Sequence, residues 1–224
     1  MNSTPPDADP ATDHQVIAID GPAGSGKSTI ARLLADRLGL DYLDTGAMYR
    51  GVAFAALRRG IDPGESEPVG RLVRDMDLEV TADGITVDGV DASIEIRGPE
   101  VTRAVSVVAA NSEVREELRQ RQRDWAVAHQ GGVIEGRDIG SVVFPDAKLK
   151  LYLTARPEVR AARRSKEVTD LDYETVAADI ARRDALDEGR SDSPLTVSDD
   201  AVTVDTSDHT IDEVVDLVVD HLGG

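Results

Sequence analysis

One short stretch carries the strongest chemical signal in the chain. Gly21-Pro22-Ala23-Gly24-Ser25-Gly26-Lys27-Ser28-Thr29 satisfies every fixed position of G-x-x-x-x-G-K-[ST]. Its glycines let successive backbone N–H groups turn inward onto phosphate oxygens. The N-terminus of a following helix adds partial positive charge and unpaired donors. Lys27 is then placed for the β- and γ-phosphates, and Ser28 for direct ligation of Mg2+. The loop implies a bound nucleoside triphosphate and leaves its fate open.

A guanine-reading N/T-K-x-D segment is missing, since none of the four lysines (27, 148, 150 and 166) has Asp two residues on. No L-S-G-G-Q-like segment is present either. A small kinase remains. It needs an anchor for the acceptor, cations along the line of transfer and a cover that keeps water out. Arginine-bearing segments fit these needs: Asp44-Thr45-Gly46-Ala47-Met48-Tyr49-Arg50, Glu135-Gly136-Arg137-Asp138-Ile139-Gly140, the cluster Arg156, Arg160, Arg163 and Arg164, and Arg183, Asp187 and Arg190 at i, i+4, i+7. Arg160 and Arg164 equally fit an ordinary solvated helix face, and Arg183 with Asp187 a plain ion pair. Glu135, at a strand end, suits a magnesium-bound water or the capping of a neighbouring loop. His14, His129, His209 and His221 are scattered without metal-ligand spacing, and Trp125 reads as a packing anchor.

The elements that must hold these residues are legible in the apolar pattern. Val16–Ile19 reads as a buried strand, Ser28–Leu38 as an amphipathic helix stopped at Gly39, and Ala47–Arg59 and Glu67–Asp75 as further helices. Short runs at 78–80, 85–87 and 92–96, separated by Asp83-Gly84 and Asp88-Gly89, predict a three-stranded antiparallel insertion. Helices are expected over Pro99–Ala110, Glu113–His129, Pro157–Glu167 and Tyr173–Glu188. Strands are expected at 133–134, 149–153 and 201–204. A last helix opens on the capping box Thr210-x-x-Glu213. Strands alternating with helices argue for a parallel sheet covered on both faces.

Composition sets outer bounds. The 224 residues fit one domain, and 40% hydrophobic content is enough for a core. The net charge is −18, so neither nucleic acid nor an anionic membrane is an expected partner. There are no cysteines, which removes disulfides and thiolate chemistry. No apolar run approaches the roughly 20 residues that span a bilayer. Residues 1–13 are polar with three prolines and lack the features of a signal peptide, so a disordered tail and a cytoplasmic protein are expected. The acidity is uneven: residues 191–224 hold nine acids and no Lys or Arg, while 115–190 hold 15 acids and 15 bases. Of all the basic residues 21 are Arg, the side chain suited to bidentate phosphate recognition.

These residues together resemble the bacterial type of cytidylate kinase, a P-loop nucleoside monophosphate kinase family. The resemblance rests on IDGPAGSGKST (19–29), LDTGAMYR (43–50), the segment 95–123, GVIEGRDIGSVVFPDA (132–147), LTARPEVRAARR (153–164), RRDALDEGRSDSPL (182–195) and the segment 200–216. It runs from about residue 15 to 222, and its GRDIGSVVFPDA and RRDxxDxxR stretches are family-specific. It implies an α/β three-layer fold: a central parallel sheet, a small antiparallel insertion in the NMP-binding region and a short lid. The implied layout is one domain over 14–224, with an NMP-binding region near 46–115, the insertion near 78–96 and a lid near 157–172. Residues 164–173 are a few shorter than usual in the family. The implied reaction is transfer from ATP, as co-substrate with Mg2+, to CMP or dCMP by a monomer. Residues 21–29 would bind ATP. Thr45, Tyr49 and Arg50 would lie on the acceptor side, Ser106, Arg115, Asp138 and Arg190 at the cytosine, and Arg137, Arg183 and Asp187 at the acceptor phosphate and sugar. Lys27, Arg137, Arg160, Arg164 and Arg183 would act on the transferring group.

Overall fold

The computed structural model describes residues 15–81, 84–167 and 171–223. The expected tail, His14, Asp83 and part of the expected lid lie outside them. Five parallel strands form the main sheet: β1 (Gln15–Asp20), β2 (Tyr42–Asp44), β6 (Gly131–Glu135), β7 (Leu149–Thr154) and β8 (Val202–Asp205). They run in the order β2-β6-β1-β7-β8. Strand alternation explains the layering, since successive side chains point to opposite faces. Val16 and Ala18 pack into one core and Ile17 and Ile19 into another. Ile134 and Val133 divide in the same way. Both faces are therefore apolar and both need helices.

α1 (Lys27–Leu38) and α8 (Ile211–Gly223) cover one face. α2 (Thr45–Arg58), α3 (Ser66–Asp75), α4 (Pro99–Val108) and α5 (Ser112–Ala128) build the core on the other. α6 (Pro157–Glu167) and α7 (Tyr173–Glu188) pack together over the phosphate loop through Ala23, Ala161, Val176 and Ile180. The capping box at Thr210 forms reciprocally, with Thr210 N–H donating to Glu213 Oε2 at 2.8 Å and Glu213 N–H donating to Thr210 Oγ1 at 3.3 Å.

The antiparallel insertion is β3 (Leu78–Val80), β4 (Ile85–Val87) and β5 (Val90–Asp91). Its third strand corrects the expected 92–96. Asp88 and Gly89, both at positive φ, form a two-residue turn that pairs Val87 with Val90. Asp91 Oδ1 then accepts from Ser93 N–H and Oγ–H, which ends the strand, and Glu95–Arg97 is a 3-10 turn. Two elements had no sequence signal: β2, only three residues long, and a single π-helical turn at Ile139–Val143. The register aligns strand C-termini, with Asp44 opposite Glu135 and Ile19 opposite Glu135. Asp44, Glu135 and Asp20 thus end three neighbouring strands on one edge, where open parallel sheets bind ligands.

Candidate active site

A cleft of about 340 Å3 opens at that edge, between the phosphate loop, α2, α4 and α7. On its donor side the loop folds as its glycines require. Gly21, at φ 146°, lies so near the Leu153 carbonyl that a Cβ would fall 2.0 Å from its oxygen. Gly24, at φ 75°, sits against the backbone of Arg160. α1 begins with no side-chain cap and no acid in its first turn. By contrast Asp44, Asn111 and Asp172 cap α2, α5 and α7. The leading N–H groups of α1 are therefore available to an anion. Lys27 is 7% exposed and donates from Nζ to the Pro22 carbonyl at 2.8 Å. Burial, then the nearby Arg137 guanidinium, pulls its ammonium down to about 7.

Glu135 lies beside Lys27 and Ser28. Burial first, then the Asp44 carboxylate, raises its carboxyl, while hydrogen bonds from Tyr42 and Ser28 act downward. The Thr45 hydroxyl donates to the Glu135 carbonyl at 2.7 Å, which ties β6 to the start of α2. This oxygen donor set fits Mg2+. Among the described residues no cluster of three or more His, Asp or Glu could cage a metal. Mg2+ is commonly held by one or two protein oxygens plus waters and substrate phosphates.

The opposite wall, where the sequence leads us to expect the acceptor, is built from side chains. Arg115, 1% exposed, donates to Asp138 Oδ2 at 2.6 Å and to the Ala109 carbonyl at 3.2 Å, and lies 5.7 Å over the Tyr49 ring. Its Nε is buried without a hydrogen-bond partner. Arg137 donates from Nε to Asp187 Oδ2 at 2.7 Å and from Nη1 to the Gly21 carbonyl at 2.7 Å. Arg190 pairs with the other Asp187 oxygen. Burial acts upward on Asp187, but Arg137 and Arg190 hold its carboxyl below the usual range. Arg50 donates from Nη1 to the Ile96 carbonyl and to Thr102 Oγ1, each at 3.0 Å. Burial, then Arg183 and Arg164, pushes Arg50 down to about 9; burial, then Arg137, pushes Arg183 to about 10. Cations crowded at this cost in solvation become favourable around a multiply charged anion.

The cleft brings together Lys27, Ser28, Thr29, Ala23, Gly24 and Gly26 from the donor side. From the acceptor side it gathers Thr45, Tyr49, Arg50, Ser106, Arg115, Glu135, Arg137, Asp138, Arg164, Arg183, Asp187 and Arg190. Gly21, Pro22 and Ser25 do not line it. Their carbonyls are taken by Arg137, Lys27 and Thr206, so they shape the loop from behind.

Arg160, expected at the transferring group, is not among the residues that line the cleft; it donates to the Ala155 and Ala23 carbonyls at 3.0 and 3.1 Å and pairs with buried Asp184. Asp184 also accepts from Ala23 N–H at 3.3 Å, so this ion pair clamps the phosphate loop. The i, i+4 spacing with Arg164 put both on one helix turn; tertiary packing buried one and left the other at the cleft. Arg156 likewise stands apart, paired with Asp208 on the surface. Arg97, not singled out in the sequence, lines the cleft 3.9 Å from Asp44. Asp20, also passed over, accepts two backbone N–H bonds behind Asp138.

Known proteins resemble this chain over most of its length. The chain is 48% identical over 212 residues to the cytidylate kinase of Corynebacterium glutamicum, covering 91% of this chain and 92% of that one. It is 49% identical over 214 residues to the cytidylate kinase of Mycolicibacterium paratuberculosis, covering 92% and 93%. An uncharacterized protein from Eubacterium ventriosum shares the fold alone, at TM-score 0.50 and 13% identity over 93% of this chain and 98% of that one. The family model described as cytidylate kinase matches residues 17–223, and with that match and those relatives the chain belongs to the cytidylate kinase family.

Proposed function

We propose that this protein transfers the γ-phosphoryl group of ATP to CMP or dCMP, giving ADP and CDP or dCDP. The observation that carries this reading is the Arg115–Asp138 pair, buried deep in the cleft beside Tyr49. Cytosine presents acceptors at O2 and N3 and a donor at N4. A guanidinium donates to the first two and a carboxylate accepts from the third. Uracil, with a donor at N3 and an acceptor at position 4, mispairs with both. Ser106, buried on α4, adds a hydroxyl near that edge.

On this reading the loop N–H groups and Lys27 hold the donor phosphates. Arg50, Arg137 and Arg183 take the acceptor phosphate, and Asp187 orients Arg137 and Arg190 while facing the sugar hydroxyls. The acceptor oxygen is already ionised, so positioning and charge stabilisation carry the step and no strong base is needed. Arg164 approaches from α6 as part of a lid near 157–172, and residues 46–115 form the acceptor-binding region. Ser28 would hold Mg2+ directly and Glu135 through a water; the ion supplies charge neutralisation on the transferring group. The protein is a monomer in the cytoplasm on this reading. Among the described residues no helix is long and apolar enough to cross a membrane.

A coupled ADP-release assay with CMP, dCMP, UMP and AMP at fixed Mg·ATP tests this. CMP and dCMP should support turnover well above the others. Turnover with another acceptor while CMP and dCMP fail would overturn the acceptor assignment. ATP binding without acceptor-dependent turnover would overturn the kinase.

A further inference from the structure

Asp20 ends β1 directly before the phosphate loop, and the mechanism above assigns it nothing. It is 5% exposed. Each of its carboxylate oxygens accepts one backbone N–H at 2.8 Å, Oδ1 from Ile139 and Oδ2 from Gly140. Those residues lead the π-helical turn Ile139–Val143, whose N-cap is Asp138. The leading N–H groups of a helical turn have no partner within it, and an aspartate at the N-cap ordinarily bends back to accept from them. Asp138 makes no such bond. Asp20, from the neighbouring strand, has taken that duty, and the Asp138 carboxylate goes to Arg115 instead.

The lacing continues on the other side of Asp138, where Arg137 donates to the Gly21 carbonyl. Residues 137–140 are therefore bound to residues 20–21 on both flanks of the base-reading carboxylate. By sequence Asp20 adjoins the donor loop, yet both its hydrogen bonds serve the acceptor loop. Burial raises its carboxyl to about 6, against the two N–H bonds that lower it, so at neutral pH it remains a carboxylate able to accept both.

We propose that Asp20 is a positioning residue for base recognition: by capping the turn at Ile139 and Gly140 it releases Asp138 from capping and aims it at the cytosine edge. This rests on the cytidylate reading of the cleft. A cap that served folding alone would affect both substrates equally; a cap that frees Asp138 acts on the acceptor base.

The test compares wild type, Asp20→Asn and Asp20→Ala. KM and kcat are measured for CMP and UMP, KM is measured for ATP, and the thermal midpoint is recorded on the same preparations. Asn keeps the size and one acceptor oxygen but sets an amide N–H2 against a backbone N–H. It should raise KM for CMP about tenfold and lower the CMP-over-UMP preference about tenfold, the effect of one unmet buried hydrogen bond. KM for ATP should rise less than KM for CMP, since Asp20 reaches the donor side only through its charge on Lys27. Ala should go further in the same direction, and Asn decides if Ala does not fold. If wild type fails on CMP itself, the acceptor reading falls, independently of Asp20. If wild type uses CMP but the variants weaken CMP and ATP in parallel, keep the base preference, or lose both through unfolding, Asp20 serves stability alone and the proposal is overturned.

Discussion

The two sides of the cleft offer an anion different partners. The donor side is one contiguous loop that offers backbone N–H groups and a single buried lysine, held from behind by Asp184, Arg160 and Thr206. The acceptor side takes its side chains from α2, α5, α7 and the turn after β6, and balances arginines with carboxylates. A triphosphate presents repeated oxygens, and a ring of N–H groups suits them. A base must be told from its near-isosteres, which needs donors and acceptors of defined type at defined places. The donor side can therefore be local in sequence, and the acceptor side cannot.

Breaking this comparison starts with Lys27. Lys27→Ala removes the cation that the loop itself carries and should reduce kcat with CMP at least about a thousandfold; a coupled ADP-release assay that finds near wild-type turnover would take the loop out of the mechanism. Next comes Arg115→Met, which leaves the buried Asp138 without its cation. It should lower kcat/KM for CMP about a hundredfold while KM for ATP moves little, since truncating one partner of a buried pair costs about 3–5 kcal/mol against whatever the site recovers by relaxing. Equal losses for both substrates would erase the division between the two sides.

A smaller effect concerns stability. The folded carboxyl of Asp20 is raised to about 6 from an ordinary 3.8. Between those values the folded chain binds more protons than the unfolded one, so Asp20 destabilises progressively as pH rises from about 4 to 6, and the penalty is then constant. Lowering the pH from 7.5 to 5 should therefore stabilise wild type relative to Asp20→Asn by about 1 kcal/mol, read from paired denaturant titrations. A pH-independent difference would mean Asp20 titrates normally. The smallest expected effect is that of salt. The net charge of −18 repels nucleotides at long range, whereas the cleft arginines act at contact, where screening is weak. Raising ionic strength from about 0.05 to 0.3 M should change KM for either nucleotide less than about threefold, with the acceptor no more sensitive than the donor. A steep loss for CMP alone would show that its arginines act at a distance.

The legibility of the fold followed the same division. The apolar runs of β1, β6 and β7 and the capping box of α8 each lie within a few residues of sequence, and their elements formed within a residue or two of expectation. β2 escaped because three residues, Tyr42–Asp44, show no period; pairing with β6 makes it a strand. The Ile139–Val143 turn escaped because its capping group lies more than a hundred residues away, at Asp20. Arg160 and Arg164 read alike on the helix and were parted by Asp184, a residue of α7.

By itself the sequence determined the donor loop, the parallel α/β class and the set of arginines from which an acceptor site could be made, because glycine placement, apolar period and charge type act over a few residues. Tertiary structure alone decided which arginines face the cleft, that Asp187 is shared by Arg137 and Arg190, and that Asp20 caps the turn beside Asp138. Those outcomes depend on ion pairs and hydrogen bonds between segments brought together only when the sheet closes. Burial then fixes them, since an unpaired charge in the interior is too costly to leave in place.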